Sequence, residues 1–543
     1  MGHEYDILVK SVTIFDGTGS SGFKGDIGIR DGLIADIGEI RIDSKIIIEG
    51  EGLACAPGFI DMHSHNDMAL LFDNRLESMI RQGVTTSVIG NCGFSLAPVI
   101  EERIDLMKKE IELFAPPGQD VSITWRTFKE YLESLEYNKA SMNIVPLVGF
   151  GAVRIAAGPG YENRSPTSDE VEGMKILVKE AMNAGAFGLS TGLIYAPQVY
   201  ADTSEILELA RVVAQYSGLY FSHIRGEGAT LIQAVRELIS IVAESGCRGG
   251  QIAHHKVAGK PFWGASEITL RMIAEANEKG LMIACDQYPY NRGATSLITV
   301  LPPWVHEGGI DAILENLQDT HIRKQIENDV ETGIEGWENI IKEAGWEGIY
   351  ISSTKTEKWA GIEGHSLQAI AVQRGYSNPF EMLVELLLDE KGEVGMTMES
   401  MGEEDIHRIM RSPYTMVGTD GEGVSPTGVL GYGKPHPRFY GTYPRILGKY
   451  AREEGLLTLE SAIWKMTGFP AKQLGLSDRG KIQAGMVADL VVFDPKTVID
   501  RATFTDSHQF PEGIHEVFVN GTLVVSDGKQ TDELPGVVLR HSI

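Results

Sequence analysis

Eight short strand-like apolar runs, separated by amphipathic helical segments, are the feature that most constrains the fold of this chain. Regular alternation of strand and helix favours parallel strands joined by helical crossovers. Eight such units close a (β/α)8 barrel, in which the chemistry sits at the carboxyl ends of the strands. The eight runs are residues 58–65, 84–90, 143–148, 186–190, 219–223, 250–254, 281–286 and 415–419.

The segment 165–185 shows how the helical stretches are recognised. Ser168 is a candidate N-cap, Met174 and Ala181 belong to the apolar face, and Gly185 is a stop signal. This pattern predicts an amphipathic helix that packs on a sheet.

The two ends of the chain have a different pattern. Residues 5–50 and 489–525 contain alternating apolar and polar stretches with turn signals between them, such as Asp31-Gly32. We expect the ends to pair into one small β-sandwich domain, made of residues 1–57 and 481–543, around a catalytic barrel at 58–480. The gap at about 291–412 is too long for a loop and predicts an inserted cap between strands seven and eight.

Charge and cysteine content exclude several classes of function. The net charge of −27 opposes non-specific binding to nucleic acid or anionic membranes. From the first residues we expect no signal peptide, no apolar run has membrane-spanning length, and four cysteines in 543 residues are too few for a disulfide framework. We expect a cytoplasmic protein with a small-molecule substrate; the sequence leaves a monomer and a homo-oligomer open.

Candidate metal ligands follow the ends of several predicted strands. His63 and His65 are two residues apart, so on a strand they project to the same side. Cys92 follows the second run between glycines, and His223 ends the fifth. We expect these side chains to converge at one end of the barrel.

The sixth and eighth runs complete this set. Adjacent His254 and His255 face opposite ways on a strand, so we assign His254 as a ligand and expect His255 either to pack or to support a ligand through a hydrogen bond. Asp420 follows the eighth run and is the natural general base, with a further role as a weak ligand. Nitrogen, sulfur and oxygen donors together suit zinc, which activates water and polarises a carbonyl.

These motifs resemble the amidohydrolase superfamily and, within it, the D-aminoacylases, or N-acyl-D-amino-acid deacylases. The resemblance covers nearly the whole chain. It rests on the motifs at residues 57–65, 90–93, 187–197, 254–256, 418–420, 436–438 and 482–490.

The resemblance implies a role for each matching residue. Cys92, His223 and His254 would hold a tight zinc ion, while His63, His65 and Asp420 would serve a second, weaker site that shares the cysteine. The α-carboxylate of the substrate would be gripped by four residues: Tyr195, Lys256, Tyr288 and Arg438. The implied reaction is hydrolysis of N-acyl-D-amino acids, with D over L following from the resemblance alone.

Two other functions stay open from the sequence. A cyclic-amide hydrolase of the hydantoinase or dihydroorotase kind usually bridges two metals with a carboxylated lysine on strand four, but run 186–190 has no lysine and Cys92 offers the bridge instead. A non-catalytic relative that keeps the barrel as a scaffold is less consistent with an intact set of ligands and base.

Overall fold

The computed structural model describes residues 4–41 and 44–542. Its strands are β1 (Tyr5–Ile14), β2 (Phe23–Arg30), β3 (Leu33–Gly38), β4 (Ser44–Glu49), β5 (Ala54–Pro57), β6 (Phe59–Asp61), β7 (Val84–Ile89), β8 (Asn143–Pro146), β9 (Val148–Gly149), β10 (Gly188–Gly192), β11 (Leu219–His223), β12 (Gly249–Ile252), β13 (Ile283–Gln287), β14 (Arg292–Ser296), β15 (Ile349–Ser353), β16 (Gly395–Glu399), β17 (Thr415–Val417), β18 (Leu490–Phe493), β19 (Ile514–Val519), β20 (Thr522–Ser526) and β21 (Lys529–Gln530).

The α-helices are α1 (Asn66–Phe72), α2 (Glu77–Ile80), α3 (Ile104–Glu112), α4 (Phe128–Asn138), α5 (Phe150–Ala157), α6 (Ser168–Ala184), α7 (Thr203–Ala214), α8 (Leu231–Ser245), α9 (Ser266–Glu278), α10 (Ile310–Gln318), α11 (Thr320–Thr332), α12 (Ile340–Ala344), α13 (Leu367–Arg374), α14 (Pro379–Asp389), α15 (Glu403–Arg411), α16 (Arg438–Arg445), α17 (Leu459–Met466) and α18 (Gly468–Leu474). A π-helical stretch, Ile446–Glu453, continues α16. Within the described ranges, no helix is both long and apolar enough to cross a membrane.

Parallel strands form two hydrogen-bonded sheets, which confirms the predicted α/β class. One sheet has the order β17-β13-β12-β11-β10-β9, and the other has the order β6-β7-β8. The third predicted run splits into β8 and β9, whose partners lie in different sheets. Near the other edges, the Met62 amide donates to the Val417 carbonyl at 3.4 Å. Strand ends of both sheets therefore lie near one another, where the predicted ligands begin.

Helix α6 agrees with the predicted amphipathic segment except at its first residue. The N-cap is Thr167, not Ser168: its hydroxyl accepts from the Glu170 amide, and the Glu170 carboxylate accepts from the Thr167 amide. This capping box satisfies the backbone amides of Thr167 and Glu170 at the start of the helix. The helix ends at Gly185, as expected, with φ at 107°.

Strands from both chain ends share one sheet of nine strands. Its order is β21-β20-β19-β18-β5-β1-β2-β3, with β4 paired to β1, and the antiparallel pair β5–β18 joins the two ends. The predicted strand region after residue 516 is divided between β19 and β20 by Asn520 and Gly521, which both have positive φ. An apolar core that includes Val9, Ile27 and Leu490 packs along this sheet.

The segment between β13 and β17 has secondary structure and a core of its own. Strands β14, β16 and β15 form an antiparallel sheet, and α10–α15 accompany it. Trp359, Leu383 and Met396 are buried in its separate apolar core. Several residues of this segment line the cavity described below.

Candidate metal centre and substrate cavity

Three of the predicted ligands have left-handed backbone conformations. The φ angles are 53° at Cys92, 33° at His254 and 48° at Asp420. Such conformations are costly for residues other than glycine and are concentrated at functional sites. Each residue lies just beyond a strand end, where the left-handed turn aims its side chain across the sheet ends.

Cys92 is the centre of a buried cluster of imidazoles. Its Sγ lies 3.4 Å from His63 Nε2, 3.5 Å from His254 Nε2 and 3.8 Å from His223 Nδ1. Tetrahedral zinc with ordinary Zn–S and Zn–N bond lengths separates these ligand atoms by about 3.6 Å. Each imidazole is therefore spaced from Cys92 as a second ligand of one ion would be, and the ligand atoms of His63, Cys92 and His254 all lie within 4.8 Å of one another.

Asp420 extends the cluster toward His65. Its Oδ1 lies 3.2 Å from His65 Nε2 and 3.5 Å from His63 Nε2. Carboxylate and imidazole ligands of tetrahedral zinc are separated by about 3.4 Å. His63 belongs to both groups, so two ion sites that share ligands fit this arrangement.

Burial and charge set the protonation of these side chains. Burial lowers the pKa of His63, His223 and His254 well below the usual value, which leaves neutral imidazoles with free lone pairs. Burial raises the pKa of the Cys92 thiol well above its usual value, so a thiolate there at neutral pH depends on a bound cation. The donor set fits zinc.

The Asp420 carboxylate is held in its charged form. Burial opposes ionisation, but Arg438 and the hydrogen bond from His65 hold its pKa well below the usual range. Arg438 Nη2 lies 3.0 Å from Asp420 Oδ2. An ionised carboxylate directly beside the ligand cluster is suited to accept a proton from water.

The cluster opens into a cavity of about 240 Å³. Arg438 and Tyr288 are both 2% exposed and line this cavity. The Arg438 Nε and Nη1 atoms and the Tyr288 hydroxyl have no hydrogen-bond partner within residues 4–41 and 44–542. Buried donors without partners are costly, so their presence here favours an anionic ligand that would accept from them.

A family model described as "Amidohydrolase family" matches residues 47–525. This chain belongs to the amidohydrolase family. It is similar to D-aminoacylase of Alcaligenes xylosoxydans xylosoxydans, with 35% identity over 99% of this chain and 98% of that protein. It is also similar to the crystal structure of N-acyl-D-glutamate deacylase from Bordetella bronchiseptica complexed with zinc and a phosphonate mimic of the tetrahedral intermediate. That likeness has 32% identity, covers 99% of each chain and has a TM-score of 0.80.

A crystal structure of D-aminoacylase matches equally well, with 34% identity over 99% of this chain and 100% of that chain and a TM-score of 0.80. These findings confirm the resemblance to the D-aminoacylases within the amidohydrolase family.

The other three cysteines of the chain lie outside the ligand cluster around Cys92. Cys55 is in β5, Cys285 is in β13, and the Cys247 thiol donates to the Ala210 carbonyl.

His254 and His255 point apart, but not for the reason that the sequence suggested. Strand β12 ends at Ile252, and the left-handed turn at His254 separates the two side chains. His255 Nε2 pairs with the Thr269 hydroxyl at 2.8 Å, outside the ligand cluster. His63 and His65 likewise lie past β6, which ends at Asp61.

Glu227 is a buried site residue that the motifs did not reveal. Its Oε1 accepts from Lys256 Nζ at 2.6 Å and lies 3.1 Å from His254 Nδ1, which also lies 2.7 Å from Lys256 Nζ. A carboxylate on the second ring nitrogen orients a metal-binding histidine. Asp286 Oδ1 lies 3.5 Å from His63 Nδ1 without a hydrogen bond to it, and accepts from the His254 amide at 2.7 Å. The sequence signal that could have found these two carboxylates is their position: Glu227 lies just after β11, and Asp286 lies within β13.

The predicted carboxylate-binding residues are not all free. Lys256 is already paired with Glu227, and the Tyr195 hydroxyl receives a bond from the Thr295 hydroxyl at 3.4 Å. The Arg438 guanidinium stacks 4.6 Å from the Tyr288 ring centroid. Arg438 and Tyr288 therefore carry donors that have no partner among the described residues, and Tyr195, which accepts from Thr295, keeps its own O–H to donate.

Gln198 is a second residue whose role at the site the sequence did not reveal, and it hydrogen-bonds to the backbone of Cys92. Its side-chain amide donates to the Cys92 carbonyl at 3.0 Å, and its oxygen accepts from the Gly192 amide at 2.7 Å. A Cβ on Gly93 would lie 1.9 Å from the Gln198 oxygen, so only glycine fits there. Together these contacts tie the turn at Cys92 to the end of β10.

Proposed function

We propose that this protein is a zinc-dependent hydrolase that cleaves the amide bond of N-acyl-D-amino acids and releases a carboxylate and a free D-amino acid. The observation that carries the proposal is the spacing of Cys92 from three imidazoles, beside an ionised Asp420 and unpartnered cationic and hydroxyl donors. Curated relatives named D-aminoacylase and N-acyl-D-aspartate deacylase support the substrate class.

Cys92, His223 and His254 would hold the tight zinc ion, and His63, His65 and Asp420 would serve a weaker second site. A zinc ion held there would supply a water molecule of lowered pKa and polarise the amide carbonyl. Asp420 would take the proton from the water and return it to the leaving nitrogen. Arg438, already 3.0 Å from Asp420, keeps that carboxylate charged and in place.

The substrate's α-carboxylate would be bound mainly by Arg438 and Tyr288, because their donors lack partners among the described residues. The planar Arg438 guanidinium suits a carboxylate. Lys256 would add positive charge near the carboxylate while it stays bonded to Glu227. Tyr195 would line the cavity next to the His223 ring.

We also infer the finer architecture from the sequence pattern. Strands β6–β13 and β17 would form one (β/α)8 barrel within residues 58–480, with the segment 291–412 as a cap over its mouth. Residues 1–57 and 481–543 would form the small β-sandwich domain. The Met62–Val417 bond between the two parallel sheets and the separate core of the inserted segment support this division.

The test is hydrolysis of matched N-acetyl-D- and N-acetyl-L-amino acids, with hydantoin and dihydroorotate included, by the zinc-loaded protein. We expect cleavage of the D-enantiomers and little turnover of the cyclic amides. Preferential cleavage of the cyclic amides, or equal cleavage of D and L substrates, would refute the proposal.

A further inference from the structure

An apolar lobe extends the cavity on one side of the ligand cluster. It is formed by aromatic and aliphatic side chains from the turn after β7, from α3 and its carboxyl-terminal extension, and from α5. The lobe consists of Phe94, Leu96, Met107, Ile111, Phe114 and Ile155.

A continuous series of ring contacts connects the lobe to the ligand cluster. The ring centroids of His223 and Tyr195 are 5.0 Å apart, those of Tyr195 and Phe94 are 5.2 Å apart, and those of Phe94 and Phe114 are 5.5 Å apart. The lobe therefore begins directly beside the proposed metal ligands.

The lobe and the proposed carboxylate-binding residues belong to different strand ends. The lobe is built around the turns after β7 and β9, whereas Tyr288 and Arg438 follow β13 and β17. In an N-acyl amino acid, the acyl group and the α-carboxylate leave the scissile amide in opposite directions. With the carboxylate on Arg438, the acyl group would point toward the lobe.

A smaller cavity of about 60 Å³ continues beyond the lobe. It shares Phe94, Phe114 and Tyr195 with the main cavity and reaches Ile298 and Ile313 of the inserted segment. Glu110 lies between the two cavities, bonded to the Tyr161 hydroxyl. This space exceeds what the single methyl group of an acetyl substrate would fill.

We propose that the apolar lobe binds the substrate's acyl group and that the enzyme prefers straight-chain acyl groups longer than acetyl. The inference rests on the proposed function, because it assumes that an N-acyl-D-amino acid binds here. It assigns the chemical class of the acyl group, which the family membership does not supply.

The first experiment measures kcat/KM for N-acetyl-, N-butanoyl-, N-hexanoyl- and N-octanoyl-D-leucine with the unmodified zinc enzyme. Each methylene buried in an apolar site should raise kcat/KM by about two- to fourfold until the lobe is full. A flat or falling series, with N-acetyl-D-leucine still cleaved, would overturn the lobe assignment and leave the proposed function intact. If no member of the series is cleaved, both are overturned.

The second experiment uses a substitution, Ala152→Leu, that reduces the space in the lobe. Ala152 lines the cavity from α5 and is 3% exposed, so Ala152→Leu should lower the ratio of hexanoyl to acetyl kcat/KM about tenfold or more. Ala157→Leu, on the same helix but outside the cavity lining, is the matched control and should keep the unmodified ratio.

A side-chain series separates the acyl group from the other candidate occupant of the lobe. With acetyl held constant, the preference of Ala152→Leu among D-alanine, D-leucine and D-phenylalanine derivatives should match that of the unmodified enzyme. If Ala152→Leu changes this preference and leaves the acyl-length ratio unchanged, the lobe binds the amino acid side chain and the inference is wrong.

Discussion

Replacing Glu227 by Gln tests whether the missed carboxylate supports the metal centre. Glu227 is 4% exposed, and its Oε1 contacts both Lys256 Nζ at 2.6 Å and His254 Nδ1 at 3.1 Å. Glutamine keeps the size of the side chain but removes its charge. Lys256, itself 5% exposed, would then be a buried ammonium without the carboxylate that it contacts.

Two separate losses follow from these contacts. Breaking a buried ion pair from one side costs about 3–5 kcal/mol, so the zinc-free variant should unfold at a clearly lower urea concentration. Losing the carboxylate that orients His254 should weaken zinc binding by about 10- to 100-fold. Zinc affinity is measured by competition with a chelator, and stability by urea unfolding of the zinc-free protein.

Glu237→Gln is the matched control. Glu237 is close in the chain to Glu227 and pairs with Arg225 at 3.0 Å. The Glu237 side chain is 13% exposed and that of Arg225 is 28% exposed. Removing this more accessible pair should cost about 1 kcal/mol or less and leave zinc affinity unchanged. If Glu227→Gln binds zinc as tightly as the unmodified protein, Glu227 does not position His254.

Further substitutions test the remaining assignments. Cys92→Ala should lose the tight zinc ion, because it removes the sulfur at the centre of three imidazoles; a full zinc content by elemental analysis would contradict this. Asp420→Asn should retain zinc but lower kcat by about 10²–10⁴, the usual contribution of a general base, and a loss below tenfold would be too small. Tyr288→Phe should lower kcat/KM for the N-acyl acid by roughly 10- to 150-fold, which corresponds to the loss of a bond to a charged group, and should barely affect the matching N-acyl amino amide. Arg438→Ala should impair both substrates, because Arg438 also holds Asp420; an unchanged rate on the amide would show that this pairing is unimportant.

Local patterns in the sequence determined much of the secondary structure. The eight strand runs, the hairpin turn at Asp31-Gly32 and the end of α6 at Gly185 were predicted correctly within a few residues. These features depend on side-chain periodicity and on glycine's access to positive φ, which are properties of neighbouring residues. The one-residue error at Thr167 arose because Ser168 is also a common N-cap residue type, whereas the Thr167–Glu170 capping box decides the cap.

The sequence by itself also named the donor types of the candidate centre, since histidines, a cysteine and an aspartate follow the strand runs. Their left-handed backbone conformations, the pairing of Lys256 with Glu227 and the support of Cys92 by Gln198 were decided only by the tertiary structure. Gln198 and Cys92 are separated by 106 positions, so no local pattern records their contact. The same holds for the apolar lobe, because its walls come from separate chain segments and its space exists only once they are packed together.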